Sequence, residues 1–486
     1  MTRVQDLFID GEYRPATNGR RFDDLSPISG EVYREVAAAA TSDATAAVDA
    51  AAGAFRTWSR TSPAERRRVL LRAADLLESE IETHRSMFAC ETGSVRGWAD
   101  MNVREAASTL REAAGLTTTA VGELLPSNET GTLNVSSRVP AGVVLAIVPW
   151  NAPLILAARS FAIALAVGNT VVIRPSEEAP LAAGFVLADT LRRAGLPVGV
   201  VNVVSTGPGE GPQVIAELIA DPRVRRVVFI GSTAVGRKIA EIAGRHLTPT
   251  VLELGGKNST IVREDADLDI WVPAIAFSAF ANSGQVCMCT DRIIVHRSKA
   301  AELADRLAAH AEGMVVGDPL DAKTDLGPLI NSRAAANFRD LVGDAVRCGA
   351  RLLAGGPESE GSYARPTVIS RLPREAALYH REAFSPVVSI HPVADDDEAV
   401  AVANDTEYGL IASVLSSDTA RAETLAQRVR AGAVHVNGPS IGDEPHVAFG
   451  GLGASGFGRL GGQESVRTFT EQRTFYLHDR GGLFGV

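Results

Sequence analysis

Between Val143 and Leu254 the chain switches regularly between short apolar runs and longer helical stretches, and this alternation limits the possible folds more than any other feature. Residues 143–148, 170–173, 200–204, 226–230 and 250–254 read as strands. Residues 154–167, 180–194, 212–220 and 235–243 read as the helices between them. Strands with no polar face, joined by helices, build a parallel sheet covered on both sides. Ligands of such sheets sit beyond the strand C-termini. After Gly255 a second alternating segment runs to about Ser440, with helices expected near 270–282, 299–311 and 334–348. The fold class is therefore α/β, and 486 residues imply two or three domains rather than one core.

The flanking regions read differently. The first hundred residues are expected to be mostly helical, with Ser62-Pro63-Ala64-Glu65 as a helix-opening capping box. Residues 117–137, rich in Thr, Ser, Asn and Gly, leave that unit as a loop or strand excursion. The glycine-rich stretch 449–462 reads as loop, and 467–477 as a C-terminal strand marked by Phe469, Phe475 and Leu477. Residues 139–158 carry no charge over a length that could cross a bilayer, but Pro140, Pro149 and Pro153 argue against one continuous helix. A buried strand, a turn and a buried helix fit better, so no membrane partner is expected.

A net charge of −10 argues against wholesale nucleic-acid binding. Four cysteines (Cys90, Cys287, Cys289 and Cys348) are too few for a disulfide scaffold, and Cys287 with Cys289 cannot close a metal site. No metal is expected. Asp6, Asp10 and Glu12 stand where a signal peptide would need a basic start and an apolar run, so the expected setting is cytoplasmic.

The chemistry concentrates in two motifs. Glu253 opens Glu253-Leu254-Gly255-Gly256-Lys257, and Cys287 closes Asn282-Ser283-Gly284-Gln285-Val286-Cys287. A thiolate nucleophile and a carboxylate base are the groups needed to form and then hydrolyse a thioester. Two glycine-bearing loops, at Gly207 and at Gly231-Ser232, follow expected strands. Neither has the usual dinucleotide or triphosphate spacing, yet Gly231 and Ser232 would sit at a helix N-terminus able to hold a pyrophosphate.

With Pro149-Trp150-Asn151, Gly168-Asn169-Thr170, Pro175-Ser176-Glu177, Phe229-Ile230-Gly231-Ser232, Glu382-Ala383-Phe384-Ser385-Pro386 and Phe449-Gly450-Gly451 in the same order, the chain resembles the NAD(P)-dependent aldehyde dehydrogenase superfamily over nearly its whole length. The resemblance implies a Rossmann-type NAD-binding domain (1–118 and 141–253), a catalytic α/β domain (254–452) and a small β oligomerisation arm (119–140 and 465–486). It implies that Cys287 attacks the aldehyde, that Asn151 and the Cys287 N–H hold the oxyanion, and that Glu253 activates water. Arg174, Ser176, Glu177, Gly207, Gly231, Ser232, Glu382 and Phe384 would hold the cofactor. Glu177 and Glu382 would accept from the two ribose units, and a carboxylate at Glu177 favours NAD over NADP. Arg174 stands where most members have lysine, which leaves NADP open. Ser160 and Leu460 stand where many members place a Lys–Glu proton relay. A homodimer or homotetramer is implied.

The segments around Ala152 and around Asp443–Phe449 resemble aryl-aldehyde dehydrogenases, acting on benzaldehyde, salicylaldehyde or vanillin. Trp150, Ala152, Arg159 and Phe449 would then line the substrate pocket, a mostly apolar tunnel suited to a flat ring. Arg159 also matches the carboxylate anchor of succinate-semialdehyde dehydrogenases, which makes a semialdehyde the alternative substrate.

Overall fold

The computed structural model describes residues 3–119 and 121–478. Its eight-stranded sheet has the order Gly456–Phe457, Thr250–Glu253, Val224–Ile230, Val143–Val148, Thr170–Pro175, Val201–Val203, Leu7–Ile9 and Glu12–Arg14. The five strands from Thr250–Glu253 to Val201–Val203 are parallel to one another. The chain starts this unit at the central strand Val143–Val148, adds two strands on one side, and then crosses to the other. The strand order therefore reverses between Val143–Val148 and Val224–Ile230, which opens a crevice at their C-terminal ends.

The central strand shows why its sequence is apolar throughout. Val144, Ala146 and Val148 enter a core shared with Leu70, Val103, Leu110 and Phe161 from helices Pro63–Ser79, Arg96–Leu116 and Pro153–Ala166. Val143, Leu145 and Ile147 enter a second core with Ala47, Ile215 and Ile239 from helices Thr41–Trp58, Gly211–Ala220 and Thr233–Arg245. Alternate side chains thus meet helices on both faces, and a polar residue anywhere in the strand would be buried. The uncharged run divides as expected, into this strand, a turn, and the buried helix Pro153–Ala166. None of the described helices is long and apolar enough to cross a membrane.

A seven-stranded sheet follows, in the order Arg351–Ala354, Thr367–Ser370, Val387–Val393, Thr290–His296, Asn258–Val262, Ile411–Leu415 and Ala433–Val436. Only its first strand runs antiparallel to its neighbour. The expected helices appear as Leu268–Phe280, Arg297–Gly313 and Ser332–Arg347. A third, antiparallel sheet joins Gly122–Leu125, Thr132–Pro140 and Thr470–His478, the last two paired along their full length. Residues 120 and 479–486 of the expected arm lie outside the described residues.

Two expectations need refinement. Just over half of the first hundred residues are helical, all from Thr41 onward, and five short strands precede Ala38. Their signal is period two in a polar setting, as in Arg21–Leu25, where only alternate residues are buried. The segment 467–477 is not one strand. Arg467 and Thr468 end the helix Gly462–Thr468, and the strand begins at Thr470.

Candidate active site

The C-terminal ends of the Val143–Val148, Val224–Ile230 and Thr250–Glu253 strands face the loop that carries Cys287. Trp150, Asn151, Arg159, Glu253, Cys287 and Phe449 line one cavity of about 470 Å³. Residues far apart in sequence, expected to act together, are therefore brought together around one space.

Cys287 is held by an unusual backbone. Asn282 and Ser283 take left-handed conformations in succession (φ 49° and 57°), and Gly284 follows at φ 73°. Any side chain at Gly284 would collide with the Ser385 carbonyl, so glycine is required there. Tertiary hydrogen bonds fix this strained turn. Asn282 Nδ2 donates to the Asn151 carbonyl at 3.0 Å, Ser283 Oγ donates to the Gly327 carbonyl at 2.8 Å, and Gln285 Oε1 accepts from the Ile330 amide at 2.9 Å. Asn258 Nδ2 then donates to the carbonyls of both Cys287 and Cys289, at 2.7 and 2.8 Å. Strain held by surrounding contacts is typical of functional loops.

The thiols differ in placement. Cys287 lines the cavity, whereas Cys289 is buried behind it against Trp98, Ala152, Val286 and Ile441. Burial pushes the Cys287 thiol up to about 12, reinforced by the nearby Glu382, Glu253 and Asp443 carboxyls and opposed by Arg159. Burial therefore favours the neutral thiol over the thiolate at this position.

Glu253 ends its strand 4% exposed, with neither carboxyl oxygen hydrogen-bonded among the described residues. Burial holds it well above the usual carboxylate range, with Arg159 and Arg459 opposing. A buried carboxyl without a partner is costly to keep, and it has the raised proton affinity a general base needs. Asn151 is fixed through its main chain, whose carbonyl also accepts from Trp98 Nε1 at 2.9 Å. Its side-chain amide makes no hydrogen bond among the described residues.

The expected cofactor residues form a cradle across the sheet edge. Arg174 Nη2 donates to Glu177 Oε2 at 2.9 Å and to Thr206 Oγ1 at 2.7 Å. A side chain at Gly211 would collide with that guanidinium. Ser176 is tied to the central strand by its amide, which donates to the Val148 carbonyl at 2.8 Å. Gly207 follows Thr206 directly. Ser232 caps the helix Thr233–Arg245 by accepting from the Val235 amide at 3.4 Å, which places Gly231 and Ser232 at a helix N-terminus on the cavity wall. Across the cavity, Glu382 accepts from the Gly256 amide at 2.9 Å, and burial raises its carboxyl to about 8. A side chain at Gly255 would collide with that carboxyl. Phe384, at φ 48°, meets Trp150 edge to face at 5.6 Å. Carboxyl groups at Glu177 and Glu382 suit ribose hydroxyls, and the helix N-terminus at Gly231-Ser232 suits a pyrophosphate, so the residues present fit a nicotinamide dinucleotide.

Some residues are placed otherwise than expected. Ala152 does not line the cavity; as the N-cap of Pro153–Ala166 it packs against Trp98 and Ile441. Ser160 is fully buried and donates to the Leu156 carbonyl at 2.7 Å, while Leu460 is core, so no ionisable relay runs through these positions. Leu156, Ile330 and Asn337 line the cavity without having been singled out. Asp443 was also missed as a site residue: it forms an ion pair with Arg159, whose guanidinium lies 5.4 Å from the centre of the Phe449 ring. No local pattern marks that pair, because its members come from distant segments.

Comparison with known proteins agrees with this geometry. Residues 13–475 match the model of the Aldehyde dehydrogenase family. A vanillin dehydrogenase of Pseudomonas fluorescens is 45% identical over 477 residues, 97% of this chain and 98% of that protein. A benzaldehyde dehydrogenase [NAD(+)] of Pseudomonas putida is 39% identical over 92% of this chain and 91% of its own. The crystal structure of a salicylaldehyde dehydrogenase from Pseudomonas putida G7, complexed with salicylaldehyde, superposes with a TM-score of 0.97 at 35% identity, covering all of both chains.

Proposed function

The chain belongs to the aldehyde dehydrogenase family, and from that premise we propose that it oxidises aromatic aldehydes to carboxylic acids with NAD, through a thioester on Cys287. The observation that carries this reading is the convergence of Asn151, Glu253 and Cys287 on one cavity walled by Trp150 and Phe449.

Each residue then has a chemical task. Cys287 gives its proton to water in the cleft and attacks the carbonyl carbon, and the resulting oxyanion is held by the Asn151 amide and the Cys287 N–H. Arg174, Glu177, Glu382, Phe384 and the helix end at Gly231-Ser232 would hold NAD, which when bound supplies the acceptor for the hydride leaving that carbon. The loss of hydride leaves a thioester. Glu253 takes a proton from water, hydroxide adds to the thioester carbon, and the Cys287 thiolate departs from the acid. With NAD bound, a carboxylate at Glu177 that held the adenosine ribose would disfavour a 2′-phosphate there, which supports NAD over NADP.

Arg159 gives no specific support to the semialdehyde alternative, because its charge is already met by Asp443. NADH formation with benzaldehyde, vanillin, salicylaldehyde and succinate semialdehyde tests the reading. An aromatic aldehyde should exceed the semialdehyde in kcat/KM by at least roughly tenfold. A preference for the semialdehyde would reject it.

The antiparallel ribbon supports assembly into a dimer or a tetramer of dimers. Leu124, Leu133, Tyr476 and Leu477 are exposed on it, Leu124 to 72%, and Gly122–Leu125 and Thr470–His478 are its two edge strands. A stable monomer in light scattering would reject this. Four free cysteines support a reducing, cytoplasmic setting.

A further inference from the structure

Arg159 is 5% exposed, lines the substrate cavity, and has an Nη1 atom without a hydrogen-bond partner among the described residues. Left alone, a guanidinium with a spare donor in an apolar tunnel would be an anion site. It is not left alone, since Asp443 neutralises it and Phe449 covers one side. Asp443 comes from the loop that leads into Phe449 and is 23% exposed, so one segment supplies both the wall and the counter-charge. The other nearby carboxyls do not bond Arg159: Glu105 is half-buried with its carboxyl held up by burial and then by Asp443, and Glu253 has no partner.

We propose that Asp443 is a specificity-determining residue, masking Arg159 so that the tunnel accepts neutral ring substituents and turns away carboxylated aldehydes. The proposal rests on the aromatic-aldehyde reading. A carboxylate entering the tunnel would meet a cation already neutralised and the negative partner beside it. A hydroxyl or methoxyl oxygen carries no charge and so meets no such penalty. Asp443 acts through Arg159, and the selectivity is a masked charge rather than a missing one.

The test compares kcat/KM for 4-carboxybenzaldehyde and for methyl 4-formylbenzoate, its neutral ester. Wild-type protein should favour the ester by roughly tenfold or more, and Asp443→Asn should shift the ratio toward the acid by roughly tenfold, mainly through KM. Asp443→Glu should restore the ester preference, and Arg159→Met combined with Asp443→Asn should lose the gain. An unchanged ratio in folded Asp443→Asn overturns the proposal. So does a wild-type protein that prefers the acid, which decides the matter even if the variant does not fold. Benzaldehyde is measured in parallel: no turnover of it by the wild type rejects the aromatic reading instead.

Discussion

The cleft has two ends, and they treat their carboxylates in opposite ways. At the cofactor end Glu177 is paired with Arg174, and Glu382 accepts from the Gly256 amide. At the reacting end Glu253 is as deeply buried as any of these and has no hydrogen-bond partner among the described residues. On the proposed mechanism, the groups that position the cofactor are themselves positioned, and the group that exchanges a proton is left without the bonds that would hold it ionised, at a cost to the fold.

The largest test of this contrast is kinetic. Cys287→Ala should abolish NADH formation, whereas Glu253→Gln should keep a first-turnover burst and lose about 10³-fold in steady-state acid release. Loss of the burst in both variants, measured by rapid mixing, would remove the division of labour between the two residues. A smaller effect belongs to the other end. Glu177→Gln should raise KM for NAD about tenfold, with kcat little changed and NADP better tolerated. A fall in kcat alone would show that Glu177 is not a binding group.

The smallest effect is on stability, and its sign separates the two ends. Glu253→Gln should stabilise the protein by about 1 kcal/mol at neutral pH, read as a rise in Tm, because it removes an unpartnered carboxyl from a buried site. The folded state raises the proton affinity of Glu253, so it binds more protons than the unfolded chain as pH rises. The wild-type residue therefore costs stability only above the unfolded carboxylate pKa of about 4.3, and the advantage of the variant should vanish below it. A variant less stable than wild type at neutral pH would mean that Glu253 has partners after all.

Much of this was legible in the sequence, for identifiable reasons. The parallel sheet was readable because both faces of Val143–Val148 are buried and every residue in it is apolar. Glu253 and Cys287 stood out by their glycine-bearing motifs, whereas Asn151 entered only through the family resemblance. The N-terminal strands were not, since three-residue strands such as Leu7–Ile9 carry too little pattern. Ala152 was misplaced because its Cβ direction depends on how the following helix is capped. Asp443 was invisible because its meaning is a tertiary ion pair, and nothing near it in sequence names its partner.

The turn at Asn282-Ser283-Gly284 has a mechanical consequence. Asn282 is bonded to the main chain of Asn151, Ser283 to Gly327, and Gly284 packs against Ser385. The turn that carries the thiol is thus tied on one side to Asn151 and on the other to the segment that carries Glu382 and Phe384, so a substitution in the turn should disturb both walls of the cleft together.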